Sequence, residues 1–179
     1  MFMTETQQTI TGERADILSL LAERRHFLRF AAQGLTDEQA NTRSTVSELT
    51  VGGLVKHVTE VERGWQRFAL GNGHAMDDID FENITPEQAA AFADSFRLTD
   101  GQTVQSALAE YERVAAETDE LVRTLDLDTA YELPEAPWQP AGVFWTVRRV
   151  FLHIAAETAH HSGHADIIRE TIDGQKSMG

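Results

Sequence analysis

Four long segments of the sequence repeat apolar residues at the spacing of an α-helix, and this feature constrains the fold most. They cover about residues 11–32, 50–70 (with Ser47 as an earlier possible start), 103–125 and 143–172. In the third segment, steps of four and three residues alternate as they do in a helix-bundle seam. Its seam positions are Val104, Leu108, Tyr111, Ala115, Thr118, Val122 and Leu125. Strand-like alternation is nearly absent, so the sequence predicts an all-α four-helix bundle.

Two long connections join these segments. In residues 71–102, Thr85 followed by Pro86 is a typical helix start and predicts a short helix through Ala93. The acidic residues at 77–82 lack the spacing of a calcium-binding loop, so we expect a solvated loop there. Residues 126–142 contain three prolines and Trp138, which predicts an ordered loop rather than a strand. Long crossovers of this kind fit a four-helix bundle formed by one domain, residues 1–179.

The composition excludes several classes of site. The chain contains no cysteine, so it has no disulfide, thiolate zinc site, iron–sulfur cluster or cysteine nucleophile. Fifteen Lys and Arg against 29 Asp and Glu give a net charge of −14, which disfavours binding to nucleic acids or anionic membranes. No apolar run approaches the ~20 residues of a membrane helix, and no signal peptide is visible. We therefore expect a cytoplasmic protein.

A cluster of histidines in the last long segment is the clearest candidate site. Four of the 7 histidines lie between His153 and His164. Within this stretch Glu157 and His161 are four residues apart, so one helix face can direct both side chains at one point. His57, on the apolar side of the second helix, is the candidate third ligand. Two nitrogens and one carboxylate oxygen leave an open coordination position, as in catalytic zinc sites.

The same residues also have structural interpretations without a metal. A histidine on an apolar helix face is commonly a hydrogen-bonded core residue, and Glu157 can pair with an arginine of its own helix. Burying a carboxylate between two histidines without a cation would nevertheless be costly, which favours the metal. Spacing alone does not choose among zinc, nickel, cobalt, manganese and iron. Outer contacts to the ligands are expected from Glu60, His153 and His164, while His160 projects sideways.

Two stretches of the sequence resemble the DinB-like superfamily, a group of metal-binding four-helix bundles. They are LTDEQAN with SELTVGGLVKHVTEVERGW, and VRRVFLHIAAETAHHSGHADIIRETIDG. The superfamily includes mycothiol-dependent maleylpyruvate isomerases and related thiol S-transferases. The resemblance covers nearly the whole chain and implies that His57, Glu157 and His161 are the metal ligands. A glutamate four residues before the ligand histidine departs from the commoner all-histidine set and is similar to the mycothiol-dependent isomerase pattern.

The resemblance also implies a function. A divalent metal, zinc or nickel, would bind a low-molecular-weight thiol such as mycothiol or bacillithiol, and the thiolate would attack an electrophilic small molecule. The product would come from S-transfer or isomerisation. Two alternatives remain open, namely a metal-dependent hydrolase that uses water and a non-catalytic, metal-stabilised binding or stress-response module. We expect a homodimer, from the resemblance and from the apolar residues Phe27, Phe30 and Phe151.

Overall fold

The computed structural model describes residues 10–73, 83–137 and 139–178, so the acidic residues at 77–82 and Trp138 lie outside the described ranges. Four long helices form the predicted bundle, with two short helices and two short strands in the connections. In chain order the elements are α1 (Glu13–Ala32), α2 (Asp37–Ala40), α3 (Val51–Ala69), α4 (Pro86–Asp94), α5 (Val104–Thr124), β1 (Ala130–Glu132), β2 (Phe144–Thr146) and α6 (Val147–Asp173).

Threonine side chains define where several of these helices begin. The hydroxyl of Thr50 accepts a hydrogen bond from the backbone N–H of Gly53 at the start of α3, and Thr85 and Thr146 cap α4 and α6 in the same way. Each hydroxyl satisfies a backbone donor that has no partner within its helix. The predicted start of the short helix at Thr85 is therefore confirmed.

The prediction of a loop without strands over residues 126–142 is wrong at its beginning. Residues Ala130–Glu132 pair antiparallel with Phe144–Thr146, with Tyr131 opposite Trp145. Each strand has only three residues, too few for alternation to be visible in the sequence. Because residues 144–146 are extended, α6 begins at Val147 rather than at residue 143. The pairing holds Trp145 immediately before α6.

The core of the bundle consists of two apolar clusters. One surrounds Leu28, Leu54 and Tyr111, and the other surrounds Leu21 and Phe151. Five of the seven seam positions predicted for α5 are buried, and the other two are partly buried. Phe151 is 0% exposed, so it packs inside its own chain and gives no support to the expected homodimer.

Two adjacent glycines allow the segment after α4 to lie against α3. A Cβ atom on Gly53 would lie 1.7 Å from the carbonyl oxygen of Phe96, and one on Gly52 would lie 2.7 Å from Leu98. Gly53 thus faces the backbone that follows α4, and Gly52 faces the Leu98 side chain of the same segment. The close approach brings Ser95 and Phe96 next to His57.

A helix that crosses a membrane must be both long and apolar. Within the described ranges, no helix combines the necessary length with the necessary apolar character.

Candidate metal centre

Two of the predicted ligands, His57 and His161, are in ring contact where α3 and α6 pack against each other, and Glu157 lies beside His161. The rings of His57 and His161 lie edge to face, with centroids 4.9 Å apart and planes at 80°. His161 Nε2 is 3.7 Å from Glu157 Oε2. Among the described residues, the group whose ligand atoms all lie within 4.8 Å of one another contains Glu157 and His161 but not His57. That these three residues bind a metal stays a prediction.

Glu157 lies between two histidines of its own helix. Its Oε1 is 3.5 Å from His153 Nε2, and its Oε2 is 3.7 Å from His161 Nε2. Both distances exceed the usual hydrogen-bond length. None of the residues in the described ranges donates a hydrogen bond to this carboxylate, whose side chain is 31% exposed. A carboxylate facing two imidazoles at this separation has room for a shared cation.

His57 is held in a largely apolar setting. Its ring stacks on Phe96 with centroids 4.1 Å apart, and its Nδ1 lies 3.5 Å from the hydroxyl oxygen of Ser95. Burial, together with the charge of His161, lowers the pKa of His57 to about 4. Burial also lowers the pKa of His161, against the opposing effect of Glu157. Both rings are therefore neutral near pH 7, the form in which histidine binds metals.

The nitrogens of His161 support the fit of a cation. Nδ1 is buried and has no hydrogen-bond partner among the described residues, and Nε2 faces Glu157 beyond hydrogen-bond distance. Buried polar atoms are nearly always partnered in folded proteins. A cation that accepts electron pairs from His161 and Glu157 matches this donor set.

The structure adds His160 to the candidate site. The ligand atoms of Glu157, His160 and His161 lie within 4.8 Å of one another, although His160 is exposed, as expected. The third ligand can therefore come from α3, as His57, or from the same turn of α6, as His160. The spacing of three residues between Glu157 and His160 is the sequence signal for this alternative. His164 is half-buried, with its ring centroid 4.6 Å from that of His160.

Of the three residues expected to contact the ligands from outside, His153 and His164 lie beside candidate ligands, with the His164 ring centroid 5.7 Å from that of His161, and Glu60 does not. His153 contacts the carboxylate of Glu157, as expected. Glu60 is exposed and lines a shallow groove between α3 and α5 with Lys56 and Arg63, so no contact with a candidate ligand supports its predicted role. Ser95 was not anticipated, because it lies 38 residues beyond His57 in the chain.

A group of aromatic residues adjoins the histidine cluster. The rings of Trp65 and Trp145 stack at 5.1 Å with an angle of 15° between their planes. His153 presents its ring to both at 4.8 and 4.9 Å. The Arg149 guanidinium carbon lies 4.4 Å from the centre of the Trp145 ring. Both tryptophans are half-buried.

A helical bundle with a histidine–glutamate cluster between two of its helices defines a DinB-like protein with a possible metal site. A family model described as mycothiol S-transferase matches residues 16–174. The chain therefore belongs to the mycothiol S-transferase family, and the resemblance to DinB-like proteins is confirmed.

Two further comparisons complete this result. No curated protein matches the chain. Among solved structures, the crystal structure of a conserved protein of a locus from Enterococcus faecalis aligns with a TM-score of 0.63 and 17% sequence identity. The alignment covers 93% of this chain and 100% of that one. At this level of identity the likeness shows the fold alone.

Proposed function

We propose that this protein is a metal-dependent S-transferase that joins a low-molecular-weight thiol, of the mycothiol or bacillithiol type, to an electrophilic small molecule. The observation that carries the proposal is the pair Glu157 and His161 on α6, with His57 of α3 in ring contact with His161, in a chain of the mycothiol S-transferase family. Two nitrogens and one oxygen suit zinc or nickel and leave a position open for the thiol.

The roles of the chain's own residues follow from their surroundings. Burial keeps His57 and His161 neutral, so they would hold the metal without competition from protons near pH 7. Glu157 would contribute the negative charge, and His153 would restrain the orientation of its carboxylate. When bound, the metal lowers the pKa of a coordinated thiol and so supplies thiolate near neutral pH. Because the chain has no cysteine, the thiol must come from a separate molecule.

The reaction balances without any redox partner. The thiol loses its proton to water at the partly exposed edge of Glu157. A sulfur–carbon bond then forms with the electrophile, and the leaving group departs with the bonding electron pair. The ring of Phe96 packs on His57, and the ring of Trp65 packs on His153; these apolar surfaces would border the electrophile.

Metal content tests the first half of the proposal. The protein is purified without chelator and without nickel resin, and bound metal is measured by mass spectrometry in the parent, in His161→Ala and in His26→Ala. His26 is an exposed histidine of α1 and serves as the matched control. We expect near-stoichiometric metal in the parent and in His26→Ala, and little in His161→Ala. The variants His57→Ala and His160→Ala then show which residue is the third ligand.

Conjugation of 1-chloro-2,4-dinitrobenzene tests the second half. This electrophile releases chloride when a thiolate attacks it, and the product is followed by absorbance. We expect the zinc- or nickel-loaded parent to accelerate the reaction with mycothiol or bacillithiol, and His161→Ala to lose the acceleration. Metal-dependent hydrolysis without added thiol would favour the hydrolase instead. A fully metal-loaded protein that accelerates neither reaction across a panel of electrophiles would indicate a binding module.

A further inference from the structure

The row of candidate ligands on α6 continues toward the start of the helix. Arg149, His153, Glu157 and His161 follow one another at intervals of four residues and so lie along one face. Eight residues separate Arg149 from Glu157, which corresponds to about 12 Å along the helix axis. On α3, Trp65 lies eight residues after His57 and packs against His153. The face that carries the candidate metal ligands thus ends in an arginine and a pair of tryptophans.

The guanidinium of Arg149 is held in place by an aromatic surface. It lies 4.4 Å from the centre of the Trp145 ring, and Trp145 stacks in turn on Trp65. Strand pairing between Trp145 and Tyr131 fixes the backbone beneath this stack. A guanidinium that rests on an aromatic ring keeps its planar set of donors in a limited range of orientations.

The neighbouring arginine shows what is unusual about Arg149. Arg148 forms ion pairs with two carboxylates, that of Glu13 and that of Asp128, the second at 2.6 Å. Arg149 is exposed and forms no ion pair with any residue in the described ranges. In a chain with a net charge of −14, most arginines have an acidic partner close by. The donors of Arg149 are available to a carboxylate from outside the chain, which a guanidinium can bind through two parallel hydrogen bonds.

We propose that Arg149, supported by Trp145 and Trp65, binds the carboxylate of a flat, anionic organic substrate. The inference rests on the proposed function, because it takes the reacting carbon of that substrate to lie at the candidate metal centre. It narrows the electrophile to a planar organic acid whose carboxylate lies about two helical turns from its reactive atom. The acidic surface of the protein repels such a molecule, so a specific cation beside the centre is needed to hold it.

A fluorescence titration tests the anchor directly. Benzoate and benzamide, which share a flat ring but differ in charge, are titrated into metal-free and zinc-loaded protein while tryptophan emission is recorded. We expect saturable quenching by benzoate and an affinity for benzamide about tenfold lower or weaker still, because the paired hydrogen bonds to the carboxylate are absent. Arg149→Gln should bind benzoate about tenfold more weakly and lose the preference over benzamide. Arg149→Lys, which keeps the charge but not the planar donors, should fall between the two.

The control is Arg67→Gln, since Arg67 is exposed on α3 and has no ion pair with another described residue. It should bind benzoate as the parent does. The inference is overturned if benzoate does not quench saturably, if benzamide binds as well, or if Arg149→Gln binds benzoate unchanged. The titrations of metal-free protein require neither metal nor thiol. A negative result would therefore count against the carboxylate site and not against the proposed S-transferase activity. If the protein catalyses conjugation but does not bind benzoate, it is a transferase whose substrate is not anionic.

Discussion

Two groups of polar side chains lie inside this bundle, and they are organised differently. The interior polar cluster consists of Arg25, Glu62, Gln66 and Thr118. In it, Glu62 Oε1 accepts hydrogen bonds from Arg25 and Thr118, both at 2.5 Å, and the two charged side chains are 3% and 0% exposed. In the candidate metal centre, Glu157 is 31% exposed and faces only histidines, at 3.5 and 3.7 Å.

The two glutamates show that a carboxylate of this bundle can be either paired within the fold or available to a ligand. Glu62 has a counter-charge in direct contact, because an arginine stays protonated at any pH of interest. Glu157 has none from the described residues, since burial lowers the pKa of both neighbouring histidines and leaves them neutral. The first arrangement already contains its counter-charge, although Glu62 Oε2 and Arg25 Nε have no hydrogen-bond partner among the described residues, whereas the second calls for a cation.

Removal of Glu62 should have the largest effect on stability. In Glu62→Ala, Arg25 remains buried with only the partly exposed Asp119 as partner, and we expect a loss of about 3–5 kcal/mol in the free energy of unfolding. Urea unfolding of metal-free protein measures this loss. The matched variant Glu157→Ala should lose much less, because its carboxylate has no counter-charge to leave behind. Equal losses in the two variants would show that Glu62 and Glu157 contribute equally to the stability of the metal-free protein.

The stability that zinc adds should depend on Glu157 and not on Glu62. At a free zinc concentration of 100 times the dissociation constant, zinc should stabilise the parent by about 2.7 kcal/mol. Glu157→Ala should gain little. Glu62→Gln, which keeps the size of the side chain, should gain as much as the parent. Unfolding with zinc and with chelator measures these differences, and a zinc effect that survives in Glu157→Ala would argue against Glu157 as a ligand.

The sequence predicts the four long helices because their periodicity and caps are local. The pair Glu157 and His161 could be recognised for the same reason, since residues four apart in a helix lie next to each other on one face. The β1–β2 pairing could not be recognised, because strands of three residues show no usable alternation. Phe96 was missed as a neighbour of His57 because 39 residues separate them and only the packing at Gly53 brings them together.

The interior polar cluster was missed for a different reason. In the sequence, Glu62 stands between Glu60 and Arg63, and a charged stretch of this kind is typical of a solvated helix face. Its burial depends on Arg25, which is 37 residues away on another helix. The sequence of one helix does not indicate that its charged face will pack against a charged residue of another helix in the interior. The histidines, in contrast, attract attention by residue type alone.

Substitution of Gly53 should disturb the candidate metal centre, although Gly53 is not one of the candidate ligands. The new Cβ of Gly53→Ala would lie 1.7 Å from the carbonyl oxygen of Phe96, so the segment after α4 must move away from His57. We expect a loss of about 1–3 kcal/mol in stability and weaker zinc binding. Gly163→Ala is the control, since no atom lies within 4 Å of its Cβ, and it should gain about 0.5–1 kcal/mol. Unchanged zinc affinity in Gly53→Ala would show that Phe96 does not support His57.

Acid should weaken the metal-free protein in part through His57. The pKa of His57 is about 4 in the folded chain, against 6.5 in the unfolded one, so the unfolded state binds more protons between these values. The contribution of His57 is fully present above pH 6.5 and is lost as the pH falls toward 4. Because the ring is only partly buried, we expect this loss to be about 1–2 kcal/mol.

A comparison of His57→Gln with the parent isolates this contribution, because the other histidines and the carboxylates titrate in both proteins. Unfolding free energies are measured by urea at several pH values from 7 to 4, without metal. The variant should lose less stability than the parent over this interval, by the amount expected for His57. Parallel curves would mean that His57 ionises as readily in the folded chain as in the unfolded one. That result would contradict the buried, apolar setting inferred for His57 beside Phe96.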